Sequence, residues 1–73
     1  MHTIQLYIDE NLNANQIDEL RTTLMGVPHV VDVEFSVRDS HDMLVEYEEH
    51  RGMPMDILHS LRSVGLHPDV VSA

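Results

Sequence analysis

The chain has 73 residues, with thirteen acidic side chains against four basic ones, no cysteine and a formal charge of −9 at pH 7. That length makes one small domain spanning residues 1–73, burying roughly 60% of the surface its unfolded form exposes. Without cysteine there is no disulfide, thiolate metal site or thiol nucleophile, and the acidic balance disfavours phosphate backbones and anionic membranes while suiting a basic protein or a cation.

The opening segment, MHTIQLYIDE, has no basic region ahead of an apolar run, so a signal peptide is not expected. No stretch approaches the roughly 20 apolar residues of a membrane span. With the missing cysteines, this leads to an expected cytoplasmic location and no membrane insertion.

Ile4, Leu6 and Ile8 alternate with Thr3, Gln5 and Tyr7, which predicts a strand with one buried face. Asp9 to Asn15 breaks the pattern with turn-forming residues. Asn13 is a good N-cap, and Gln16 stands three residues later, where a capping-box partner belongs. Ile17, Leu20, Leu24 and Val27 then form an apolar stripe on a helix. Gly26 is expected to end that helix in a left-handed conformation, with Pro28 preventing its continuation.

Val31, Val33, Phe35 and Val37 predict a second strand with those four side chains on one face. Arg38 to Asp42 reads as a polar turn, and Met43, Val45 and Tyr47 as the buried face of a third strand. The short joint between them predicts an antiparallel hairpin. Glu49 to Gly52 is a loop, and Pro54 fits the start of a second helix, with Asp56 at its positive end. Ile57, Leu61 and Val64, helped by Leu58, form its stripe, and Gly65 ends it. Pro68 leads into a short fourth strand around Val70 and Val71.

The order is βαββαβ. Two helices cannot cover both faces of a four-stranded sheet, so they share one. The fold class is therefore α+β: a ferredoxin-like sandwich with two helices on one face of a four-stranded antiparallel sheet.

The chain resembles the heavy-metal-associated domain family, small copper and mercury carriers and the N-terminal modules of metal-pumping ATPases. The resemblance rests on Ile17, Leu20, Leu24, Gly26-Val27 and Val30, then Val45 and Tyr47, then Ile57, Leu61 and Gly65-Leu66. The family carries a Met-x-Cys-x-x-Cys loop between the first strand and helix. Counting back from Gly26 places its two cysteines near Glu10 and Asn13, with Ile8 near the methionine position. The closing aromatic residue of the family is Leu66 here. Transfer of metal between paired thiolates cannot be carried over to this chain.

Three regions are candidate sites. One end of the sheet gathers the Asp9–Asn15 loop with two turns and brings Asp9, Glu10, His41 and His67 together. Imidazole and carboxylate suit zinc, nickel or copper(II) rather than copper(I). The opposite end gathers His2, His29 and His50, a second candidate set, with Met53 and Met55 nearby. The outer face of the sheet carries Tyr7, Glu34, Leu44 and Glu46, with Asp32 and Glu48, an acidic surface suited to docking. The alternatives are solvated turns, scattered loop histidines and a plain sheet face. Met25, Met43, Met53 and Met55 form no ligand run, and Met43 is expected in the core. No nucleophile triad or phosphate loop is present, so no enzyme is expected.

The expected function is a non-catalytic module of the heavy-metal-associated kind with a degenerate metal loop, contacting a basic protein partner in metal homeostasis or signalling. One alternative is a carrier of zinc, nickel or copper(II) through histidine and carboxylate. Another is a small-molecule-sensing domain of the ACT type, which shares the element order. The chain is expected to be a monomer or a weak dimer formed by edge pairing of the second or fourth strand.

Overall fold

A computed structural model describes residues 1–73. The elements run β1 (His2–Ile8), α1 (Ala14–Met25), β2 (Val30–Phe35), β3 (Asp42–Tyr47), α2 (Met53–Ser63) and β4 (Pro68–Ser72). The four strands form one sheet in the order β2-β3-β1-β4, and each neighbouring pair is antiparallel. This is the ferredoxin-like sandwich that the periodicity predicts. No helix is long and apolar enough to cross a membrane.

The core lies between the sheet and the helices. Ile4, Leu6 and Ile8 of β1 meet Val33 of β2 and Met43, Val45 and Tyr47 of β3, with Leu20 and Leu24 of α1 and Met53, Ile57 and Leu61 of α2. β1 and β3 form the centre of the sheet and carry the cleanest alternation. His2 pairs with Tyr47, Ile4 with Val45 and Leu6 with Met43.

α1 begins as its sequence requires. The Asn13 side chain accepts from the Gln16 backbone N–H at 2.8 Å, and the Gln16 side chain accepts from the Asn13 N–H at 2.9 Å. This reciprocal pair satisfies two amide groups that the helix start leaves open.

Four local expectations are corrected. Gly26 has φ −80, in the right-handed region, so it does not end α1 by a left-handed turn. The left-handed residue comes three positions later, at His29, with φ 73. The buried face of β2 is also shifted. Val30 pairs with Tyr47 and Asp32 with Glu46, which leaves Val31 as the extra residue of a bulge. A bulge inserts one residue and breaks the period of two, so Val30 packs on the core while Val31 is 37% exposed.

Val37 lies beyond the end of β2 and is fully exposed at 102%. The hairpin turn starts at Ser36, where the Ser36 N–H donates to the Asp42 carbonyl at 3.0 Å, and Asp42 is already the first residue of β3. Val64 lies past the end of α2 as its C-cap, not on its buried stripe, and is half-exposed. It rims a shallow groove between the helices with Leu12, Leu20 and Leu66. Gly65 does end α2 in a left-handed conformation, φ 86.

Candidate functional site

The end of the sheet expected to hold Asp9, Glu10, His41 and His67 does bring their segments together. The Ile8 N–H donates to the His41 carbonyl at 2.8 Å, and the Asp9 N–H to the His67 carbonyl at 3.3 Å. These backbone bonds tie the loop after β1 to the two turns that flank it. Side chains then complete the join. One oxygen of Glu10 accepts from the His67 backbone N–H at 2.8 Å, and the other stands 2.5 Å from His67 Nδ1.

Glu10 therefore holds His67 twice, once by its backbone and once by its ring. The side-chain hydrogen bond from His67, followed by its backbone N–H, holds the Glu10 carboxyl below the usual carboxylate range. The same side-chain bond, then the nearby negative charge of Glu10, pushes the His67 imidazole up. The two shifts agree in sign, as expected of a carboxylate paired with an imidazolium.

His41 is engaged differently. Its Nδ1 lies 2.5 Å from the Ile8 carbonyl, and its ring stacks on Tyr7 with centroids 5.2 Å apart. Its own N–H donates to the Asp39 carboxylate at 2.9 Å, closing the turn. Of this set, Glu10 and His67 bond to each other while His41 bonds to the backbone. The loop also has a structural task at Asn13, the N-cap of α1. Glu10 and Asn13, near which the resemblance places the family's cysteines, are each committed to a protein hydrogen bond.

At the opposite end the histidines meet aromatic rings. His29 and His50 stack with centroids 4.1 Å apart and planes 15° from parallel. His2 stacks on Tyr47 at 5.7 Å, and its Nε2 lies 3.5 Å from a Glu49 oxygen. The left-handed His29 fixes this arrangement, since its carbonyl accepts from the Glu48 N–H at 2.8 Å.

The outer sheet face joins three strands. Glu34 pairs across β2–β3 with Leu44, and Asp32 with Glu46. Leu44 in turn lies opposite Gln5 of β1, and Asp42 opposite Tyr7. Leu44 is 39% exposed and Tyr7 36%. Asp32, Glu34 and Glu46 each bring a carboxylate oxygen within 4.8 Å of the other two. The sequence places these residues on one face but gives no sign of how closely the carboxylates gather. The bulge sets that spacing, by putting Asp32 directly opposite Glu46.

Arg21 escapes a reading of the sequence by stripe and spacing. It reaches from α1 to the β2 edge, where its Nε donates to the Val33 carbonyl at 3.4 Å. Its guanidinium lies 5.5 Å from the Phe35 ring centroid, and it also pairs with Asp18 at 3.2 Å. A cation laid along an edge strand obstructs pairing with another chain.

No protein-family model matches the chain, and no curated protein sequence matches it. Solved structures do match. The chain is similar to a yeast copper transporter domain determined in apo and Cu(I)-loaded states, with a TM-score of 0.82 at 12% identity over 99% of this chain and 97% of that one. It is similar to oxidized MerP from Ralstonia metallidurans, with a TM-score of 0.82 at 11% identity over 97% of both chains. It is also similar to the N-terminal domain of PacS from Synechocystis, with a TM-score of 0.81 at 18% identity over 99% of this chain and all of that one. The fold is that of the heavy-metal-associated domain, and this version of it is free of cysteine.

Proposed function

We propose that the chain is a non-catalytic module of metal homeostasis that docks a basic protein partner through its acidic sheet face, and that its loop end serves structure in place of metal transfer. The observation that carries this reading is the commitment of Glu10 and Asn13. Glu10 clasps His67, and Asn13 caps α1. A carrier loop needs ligands that can leave one ion partner for another, and these two side chains already bond within the protein.

The sheet face supports the docking half of the proposal. Asp32 and Glu46 sit directly across from one another, and like charges in that position destabilise a sheet. A lysine- or arginine-bearing partner relieves that repulsion. Leu44 and Tyr7 beside the carboxylates supply apolar area for the centre of an interface, with charge at its rim.

Site-specific photo-crosslinking tests this in cells that express the chain. A crosslinker at Leu44 should yield a discrete protein adduct, and Glu34→Lys with Glu46→Lys should abolish it. A crosslinker at Met55, exposed on α2, should not yield that adduct. Adducts that form equally from both positions, or that survive the charge reversals, contradict docking at this face.

A further inference from the structure

The outer face of the sheet is ordered in rows, because the strand register repeats one row every two residues. The first row sets Asp32 opposite Glu46, and Glu46 opposite Thr3. The second holds Glu34, Leu44 and Gln5, and the third Asp42, Tyr7 and Asp69. Two residues of strand separate neighbouring rows by about 6.5 Å. The Glu34 carboxylate lies with the first row, within 4.8 Å of those of Asp32 and Glu46. Around Leu44 runs a shallow groove lined by Gln5, Glu34, Val37 and Asp42. Along the strands the face therefore reads acid, apolar, acid. No cation of the chain neutralises it, since the ion pairs are His2–Glu49, Arg21–Asp18 and His67–Glu10.

We infer that this face binds an extended segment of the partner carrying arginine, an apolar residue and arginine at alternate positions. The inference rests on the docking reading above and names the partner's chemistry. An extended segment rises as the sheet does, and its alternate side chains point one way, so three such residues meet the three rows in step. One guanidinium faces Asp32, Glu34 and Glu46, the apolar side chain covers Leu44 and Val37, and the second guanidinium faces Asp42. Arginine fits the first row better than lysine, because its planar fork offers donors to more than one carboxylate at once. The pattern is the same read in either direction, so the segment can lie either way along the strands. A second copy of this chain does not fit, since it would set one acidic face against another.

Fluorescence anisotropy of short labelled peptides with the full chain tests this, with amide NMR to place the site. The peptide Thr-Arg-Thr-Leu-Thr-Arg-Thr should bind saturably and move the amide signals of Glu34, Leu44 and Glu46. Thr-Lys-Thr-Leu-Thr-Lys-Thr carries the same charge and should bind about tenfold more weakly, the loss of one charge-assisted hydrogen bond. Thr-Arg-Arg-Leu-Thr-Thr-Thr keeps the composition of the first but not its alternation, and should also bind more weakly. Glu46→Gln and Leu44→Thr should each weaken the first peptide, whereas Glu19→Gln, exposed on α1, should leave it unchanged. If the three peptides bind equally and Glu34→Lys with Glu46→Lys abolishes them all, the arginine pattern is overturned while docking of a basic partner stands. If none binds at millimolar concentration, or binding survives the charge reversals, the pattern is overturned, and the Leu44 crosslink decides separately whether the face docks a protein at all.

Discussion

Glu10 and His67 are 57 positions apart in sequence and joined by two hydrogen bonds in the fold. Their shifts fix how the clasp depends on pH. His67 is raised, so its share of the stabilisation is full below its unfolded value and is lost as pH rises through the raised one. Glu10 is lowered, so its share is present above its unfolded value and is lost as pH falls through the lowered one. The clasp is strongest in the window between, and solvent screening keeps its contribution small. Glu10→Gln should bring the His67 titration midpoint, followed by NMR, down toward the ordinary imidazole value. A midpoint that stays raised would mean that Glu10 is not the cause. The sequence puts both residues at one end of the sheet, but a loop's composition does not specify which side chains bond. His29 makes the same point. Nothing in Val-Pro-His-Val marks a left-handed position, where glycine or asparagine is usual. His29→Gly should be neutral to stabilising by up to about 1.5 kcal/mol, because relief of about 1–2 kcal/mol of left-handed strain is only partly offset by about 0.5–1 kcal/mol of added unfolded-chain entropy. His29→Val, with its branched β-carbon, should lower the denaturation midpoint clearly below that of His29→Gly.

At the scale of elements, α1 was the most legible and β2 the least. Asn13, Gln16 and the stripe of Leu20 and Leu24 define α1 without reference to anything distant. Asn13→Ala should cost about 0.5–2 kcal/mol in urea or thermal unfolding through loss of the capping box. Leu24→Ala should cost about 2–5 kcal/mol, as expected for truncating a fully buried side chain. An unchanged midpoint in Leu24→Ala would contradict the packing described. β2 misleads because Val30 and Val31 are equally apolar, so the local pattern fits either register. The choice is made by His29 and its bond to Glu48, which lie outside the strand. The bulge then creates the Asp32–Glu46 opposition, and with it a stability cost. Glu46→Gln should stabilise the isolated chain by about 0.2–1 kcal/mol while weakening partner docking. A substitution that raises stability and leaves docking intact would detach this pair from function.

Across the whole molecule, the fold persists at 11–18% identity to solved neighbours because it depends on apolar periodicity and turn positions. The alternation of β1 and β3 and the two helix stripes supply both. Function is less visible, because it rests on what a few loop and sheet-face residues bond to. Net charge acts at this scale. With a formal charge of −9, association with a basic partner should weaken as salt rises. Affinity that is flat in salt would remove long-range charge from the account.

The loop end of this chain holds a clasp between Glu10 and His67 and a helix cap at Asn13, with no thiolate, so it should not capture copper(I). Competition for copper(I) against a moderate chelator, under reducing and oxygen-free conditions, tests it most directly. Copper(I) favours soft sulfur ligands, and here the sulfur is thioether only, with Met43 and Met53 buried in the core. The predicted result is that the chelator keeps the copper and that the amide signals of Glu10, Asn13 and His67 do not move. Stoichiometric transfer of copper(I) to the chain, with shifts centred on the loop from Asp9 to Asn13, would contradict the claim.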